Sequence, residues 1–347
     1  MKAAVLTQYR APLEITTVAS PECPADGVVL RVLACGVCRS DWHAWTGADS
    51  DISLPHIPGH EYCGEVIATG PGATRWRIGD RVIAPFILAC GLCPSCQAGN
   101  QTTCPTQILP GFNAPGAFAE EVAVAHADVN LIALPDTMDP ALAASLGCRV
   151  TTAWHGLTGR AALRAGEWLV VWGAGGVGLS AMLLGRALGA RVVVADVVPE
   201  KLDYAQSLGA DAAVDARNPD VIAHIRALTG GGAHVAIEAL GIEATTRNAL
   251  LSLRKLGRMV QIGMPAGEHT EMTLPMDAVY SGQLAVFGTR GMPAHRYPSL
   301  LSLIEAGQVD LSPLIARRIA LSEASHELAA FDGPTPPGVA VITEFTK

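Results

Sequence analysis

Gly173-Ala174-Gly175-Gly176-Val177-Gly178 constrains this fold more than any other stretch. An apolar run at 168–172 leads into it, and a helical pattern at 177–188 leads out. Glycines in that setting let the backbone turn tightly. They also let a pyrophosphate approach the helix N-terminus, where free N–H groups and the helix dipole favour anions. Asp196 closes the next apolar run about 20 residues on, where it would accept hydrogen bonds from an adenosine ribose. Its carboxylate would repel a 2′-phosphate, and Val197 and Val198 bring no arginine to offset it. The loop therefore predicts NAD rather than NADP, with Gly173, Gly175, Gly176, Val177, Gly178 and Asp196 as cofactor-binding candidates. A tight strand–helix turn without a nucleotide is the alternative, and the acid in register speaks against it.

Texture divides the chain. From about 150 to 288, short continuous apolar runs (168–172, 191–195, 234–239, 258–262, 284–288) alternate with helical stretches. That pattern predicts a parallel sheet covered on both faces. Pro199 and Gly209 bracket a helix over 199–208, and Ile262, ending one of the runs, is a further cofactor candidate. Up to about residue 130 the chain is β-rich instead: runs at 3–6, 28–32, 62–68, 80–84 and 117–124 alternate with Pro, Gly and Asp. The tail predicts helices around 297–306 and 322–331 and a closing strand over 338–345. There is no internal repeat and no low-complexity linker.

Nine cysteines are present. Cys90, Cys93, Cys96 and Cys104 give the spacing C-x₂-C-x₂-C-x₇-C. Four thiolates can close a tetrahedral shell around zinc and leave no position for a substrate; an iron–sulfur cluster uses comparable spacings. A second set is open. Cys38 and His60 are soft-to-borderline ligands that suit zinc, and a catalytic site needs a third ligand beside a free position. Cys148, just after a helix start at 139–142, is the candidate, with a nicotinamide expected against the metal. Cys23, Cys35 and Cys63 read as ordinary thiols.

Bulk properties exclude some functions. The net charge of −8 argues against a nucleic-acid partner, which would want a basic face. No apolar run reaches the ~20 residues of a membrane span. Met1-Lys2-Ala3-Ala4-Val5-Leu6 runs into a strand pattern rather than a secretion signal. The expectation is a soluble cytoplasmic protein. The 347 residues suggest about two domains.

Taken together, Cys38-Arg39-Ser40-Asp41, Gly59-His60-Glu61, the four-cysteine lobe, Cys148 and the glycine loop make the chain resemble the zinc-dependent medium-chain alcohol dehydrogenases, nearly end to end. The resemblance implies an α/β architecture. A GroES-like, partly open β-barrel catalytic domain would comprise 1–149 and 289–347, and a Rossmann domain with a doubly wound parallel sheet would comprise 150–288. It implies Cys38, His60 and Cys148 as catalytic zinc ligands and Glu61 as a carboxylate beside the metal. Asp41 would orient the ligating histidine. Ser40 and His43 would form a proton relay, although Ser40 could instead cap a helix starting at Asp41. Arg39 would contact the pyrophosphate, Thr152 the nicotinamide and Lys201 the adenosine ribose. Trp45 and Phe86 would line the substrate pocket, although each would serve equally as core.

The implied activity is NAD-linked interconversion of an alcohol with its aldehyde or ketone, in a homo-oligomer, dimer or tetramer, joined near 284–288. A polyol or other secondary-alcohol dehydrogenase is the nearest rival; such relatives often have glutamate where this chain has Cys148. A zinc-free reductase would lack the ligand set, and a non-catalytic zinc-and-nucleotide redox sensor would not need Ser40. One departure stands out. Relatives often carry a basic residue near the C-terminus that touches the cofactor phosphates, and Gly338-Val339-Ala340-Val341 has none. Either the cofactor is held more weakly or Arg290 compensates.

Overall fold

A computed structural model describes residues 1–346; Lys347, the end of the expected barrel span, lies outside the described residues. Six parallel strands form one sheet, in the order Ala212–Asp215, Arg191–Asp196, Trp168–Trp172, Ala233–Glu238, Leu253–Gln261, Ala285–Gly288. The first strand in sequence is central, the next two step out on one side, and the last three step out on the other. This is the arrangement of a dinucleotide-binding sheet. Leu169, Val170, Val171 and Trp172 are fully buried, because helices cover both faces. That burial is why the strand reads as an unbroken apolar run rather than an alternating one. Helix Gly176–Ala187 leaves the central strand through the glycine loop. A Cβ on Gly178 would stand 1.7 Å from the Gly173 carbonyl oxygen, and Gly173 itself has φ +99°. Glycine is therefore required at both ends of the turn.

The second sheet has seven strands. Ile315–Ala320, Val339–Glu344, Val28–Gly36, Glu61–Thr69, Arg81–Ile83 and Ile132–Ala133 pair in that order, and Glu121–Val124 also pairs with Val28–Gly36. Only the pairing of Ile315–Ala320 with Val339–Glu344 is parallel. Val341 lies opposite Gly36 and Ile342 opposite Cys35, so both chain ends close one partly open barrel of GroES-like type. The strand Val28–Gly36 thus ends beside the closing strand, and Cys38 follows two residues later.

Several elements depart from the sequence reading. Glu14–Thr17, Ala212–Asp215 and Ile315–Ala320 are strands that the apolar runs did not reveal. The first is exposed throughout and the last carries Arg317 and Arg318. The expected strand over 117–124 begins only at Glu121. The helix expected from Asp41 spans Arg39–Thr46, with Cys38 at its N-cap, so Ser40 sits inside the first turn and caps nothing. Helix Arg149–His155 runs through the expected domain boundary. Its Val150 shares one apolar cluster with Leu169, Val171 and Leu179 of the nucleotide-binding sheet and helix. Among the described residues, no helix is long and apolar enough to cross a membrane.

Candidate active site and metal centres

Cys38 caps helix Arg39–Thr46, His60 immediately precedes strand Glu61–Thr69, and Cys148 caps helix Arg149–His155. Together with Glu61, their ligand atoms all lie within 4.8 Å of one another. Asp41 fixes the geometry. Its Oδ1 accepts from His60 Nδ1 at 2.9 Å and from the Gly59 N–H at 3.1 Å, and its Oδ2 accepts from the Cys38 N–H at 2.9 Å. His60 and Asp41 are both fully buried. With Nδ1 engaged, His60 Nε2 is buried without a hydrogen-bond partner. A buried nitrogen left open is costly unless something binds it. A lone pair offered beside two sulfurs is the donor set that zinc takes.

The electrostatics agree. The thiol of Cys148 stabilises a thiolate on Cys38 and pulls its pKa well down against the cost of burial, with help from His60 and Arg149. Cys148, on the other side of that bond, is pushed well up. Burial works against protonating His60, but Asp41 and Cys38 outweigh it and hold its pKa above the ordinary value. Burial raises Glu61 to about 7, with Arg149 pulling it down and Cys38 pushing it up.

Arg149 was missed by the sequence reading. It is buried, and its Nε donates to Glu61 Oε1 and Oε2 at 2.9 and 2.7 Å. Its Nη2 donates to Val37 O at 2.9 Å and also to Glu61 Oε2. The signal was available: an arginine inside the apolar segment Cys148-Arg149-Val150 is rarely buried without a partner.

The four-cysteine lobe forms a second cluster, with sulfurs within 4.8 Å of one another. Cys93 Sγ lies 3.4 Å from Cys96 Sγ and 3.9 Å from Cys104 Sγ, and Cys104 lies 3.6 Å from Cys90. Tetrahedral zinc with bonds of ~2.3 Å would hold its sulfurs roughly 3.8 Å apart. The spacing suits one ion and is too tight for a multi-iron cube. Backbone N–H groups of Leu92 and Cys93 pull Cys90 down to about 6, whereas burial and the neighbouring Cys93 push Cys96 up to about 12.

A cleft of about 700 Å³ lies between the two sheets, lined by Cys38, His43, Arg149, Gly175, Gly176, Val177, Asp196 and Lys201 among others. Asp196 Oδ2 accepts from the Ala174 N–H at 2.6 Å and Oδ1 from Val198 N–H at 3.0 Å, which pins the glycine loop. Lys201 Nζ reaches Thr335 Oγ1 at 3.1 Å. Thr152 Oγ1 accepts from the Gly291 N–H at 3.2 Å. His43 faces the cleft with a buried, unpartnered Nδ1. Burial and then Arg39 lower its pKa. Ser40 is half-buried on the same helix.

Three expected contacts fall elsewhere, those of Trp45, Ile262 and Arg290. Trp45 is 5% exposed in the barrel core, donating from Nε1 to Ala11 O at 2.7 Å. Trp42, one turn earlier on the same helix, packs against that core and lines the cleft. Ile262 lies by Gly156, where an added Cβ would meet its Cδ1 at 3.0 Å. The cleft wall on that side is instead Ala239, Leu240 and Ile242. Arg39 does line the cleft and is partly committed there, donating from Nη1 to Phe331 O at 2.8 Å, with its guanidinium over the Trp42 and Phe331 rings at 4.9 and 4.8 Å. Arg290 stacks over Phe86 at 5.7 Å and does not line the cleft. Phe86 itself, with Phe112, flanks the His60 ring at 5.8 and 4.9 Å. Both belong to an apolar cluster with Ala44, Ile52 and Leu109, against which Cys148 packs.

Known proteins share this architecture. Residues 24–136 match the model of the alcohol dehydrogenase GroES-like domain, and residues 176–306 that of the zinc-binding dehydrogenases. An alcohol dehydrogenase of Geobacillus stearothermophilus is 36% identical over 297 residues, covering 84% of this chain and 86% of the relative. The solved alcohol dehydrogenase TADH from Thermus sp. ATN1 superposes with a TM-score of 0.91 at 29% identity, covering 99% of this chain and 100% of the other. A solved NAD-dependent alcohol dehydrogenase does so with 0.90 at 28% identity, with 99% and 100% covered. The chain belongs to the zinc-dependent medium-chain alcohol dehydrogenase family. It is an oxidoreductase of alcohols that uses zinc and NAD.

Proposed function

We propose that Cys38, His60 and Cys148 hold the catalytic zinc, that Glu61 stands beside it, and that Cys90, Cys93, Cys96 and Cys104 hold a structural zinc. The observation that carries this reading is the open Nε2 of His60, buried beside the sulfurs of Cys38 and Cys148 while Asp41 occupies Nδ1. Bound zinc supplies polarisation of the substrate oxygen, and NAD supplies the hydride acceptor. The side chains of the chain do the rest. Asp41 fixes the His60 tautomer and ring orientation. Ser40 accepts the substrate's hydroxyl proton as it gives up its own hydroxyl proton. His43, one helical turn further on and so on the same face, carries it toward solvent. Its lowered pKa leaves it neutral and able to accept at pH 7. Phe86, Phe112, Ile52 and Leu109 form an apolar wall by His60 and Cys148, which suits hydrophobic alcohols and their aldehydes or ketones over polyols.

In this reading residues 1–149 and 289–347 form the catalytic domain and 150–288 the nucleotide domain. The glycine loop takes the pyrophosphate, Thr152 lies near the nicotinamide, and Asp196 with Lys201 receives the adenosine ribose and selects NAD over NADP. The free edge strand Ala285–Gly288, with Val286, Met276 and Tyr280 exposed nearby, is the face through which copies associate. Nine free cysteines, seven of them in ligand clusters, suit a reducing, cytoplasmic setting. The test is reduced-nicotinamide absorbance with a panel of alcohols before chelation, after chelation and after zinc is returned. Activity should vanish and then recover. Activity that persists in fully zinc-free protein would refute the reading.

A further inference from the structure

The closing segment Gly338-Val339-Ala340-Val341 carries no cation, yet an arginine reaches the glycine loop from elsewhere. A Cβ on Gly176 would lie 3.0 Å from Arg149 Cδ, 3.1 Å from Arg149 Nη1 and 3.1 Å from Val339 Cγ1. Val339 of the closing strand therefore passes beside the loop and offers only methyl groups, while Arg149 reaches the same spot from the helix after Cys148. Its guanidinium is divided. Nε and Nη2 bind Glu61, and Nη2 also binds Val37 O, whereas Nη1 makes none of these bonds and lies by Gly176, which lines the cleft together with Arg149. Other cations of the cleft are engaged: Arg39 with Phe331 O, Lys201 with Thr335, and Arg317 with Glu327.

We infer that Arg149 is a positioning residue that binds the cofactor pyrophosphate through Nη1 while holding Glu61 through its other edge. This rests on the reading that the glycine loop takes a dinucleotide. A planar guanidinium with five donors in fixed directions suits two anionic partners at once, which an ammonium does not. One residue thus joins the cofactor site to the carboxylate beside the catalytic metal. Phosphate at Nη1 competes with Glu61 for the charge of the fork and loosens the hold on Glu61.

The test uses zinc-loaded full-length protein, with NADH titrated by fluorescence and displaced by ADP-ribose or by adenosine. ADP-ribose carries the pyrophosphate; adenosine does not. Glu61→Gln removes the competing carboxylate and should leave the affinity for ADP-ribose unchanged or tighter. Adding Arg149→Met to it should weaken NADH and ADP-ribose by about tenfold or more, the scale of one charge-assisted hydrogen bond. Adenosine should bind as before. Equal ADP-ribose affinity in the single and double variants would overturn the inference. Should the double variant not fold, Arg149→Lys keeps a charge beside Glu61 but loses the fork. ADP-ribose should weaken in it while adenosine does not, and unchanged ADP-ribose binding would again overturn the inference. If the native protein binds neither NADH nor ADP-ribose, the dinucleotide reading itself fails. If it binds both and the variants match it, only the role of Arg149 fails.

Discussion

The lobe of Cys90, Cys93, Cys96 and Cys104 draws all its sulfurs from one short loop, and its two ends are fourteen residues apart. The Cys38 cluster takes its donors from two helix caps and a strand start, and its carboxylate is tied to an arginine 88 residues away. The lobe lowers its leading thiol with N–H groups of its own loop. The buried cluster depends on Cys148, His60 and Arg149 to favour a thiolate, and on Asp41 to aim the imidazole. Four like ligands close a shell and stabilise a fold. In the proposed reading three mixed ligands, with a carboxylate held back by Arg149, would leave a place for chemistry.

The largest expected effect breaks that contrast at the buried cluster. His60→Ala should cut kcat/KM by about a thousandfold or more, the several kcal/mol that a metal electrophile supplies, and should leave the lobe metal in place. Steady-state kinetics with metal analysis checks both halves. Next, Asp41→Asn keeps every ligand but weakens the orienting bond. About a 10–100-fold loss of activity or zinc affinity is expected, and full activity would remove Asp41 from the account. Asp196→Ser should shift the NADH-to-NADPH affinity ratio about tenfold toward NADPH; an unchanged ratio would show that the loop's acid does not select the cofactor. On the lobe side, Cys93→Ser should lower the thermal transition and the zinc content while the remaining folded fraction keeps its turnover number.

The smallest effect concerns pH. Burial lowers the pKa values of His43, His56, His155, His234 and His295. The unfolded chain then binds more protons below about pH 6.5, so stability is complete above that value and declines as the pH falls toward the folded-state values. Calorimetry should show the transition dropping by about 2–4 °C on mild acidification, before zinc is released. A transition that rose would contradict the burial of these rings.

Sequence made the fold legible where pattern is local. The strand, glycine loop and helix around Gly173–Gly178 carry their own signal, and so does the cysteine spacing of the lobe. It was less informative where context decides. Ile315–Ala320 is a strand because Val339–Glu344 lies beside it, and its two arginines hide any apolar period. Trp42 and Trp45 look alike in sequence, and only the fold leaves the first at the rim of the cleft and the second wholly in the core. Arg149 carries no motif at all. Its role comes from the folding that sets helix Arg149–His155 between Glu61 and Gly176.

Zinc counted per chain in three proteins tests the central claim most directly: the native protein, Cys38→Ser and Cys93→Ser. The account predicts two, one and one, with alcohol turnover lost in Cys38→Ser and kept per folded molecule in Cys93→Ser. A native protein holding a single zinc, or Cys38→Ser retaining both, would contradict it.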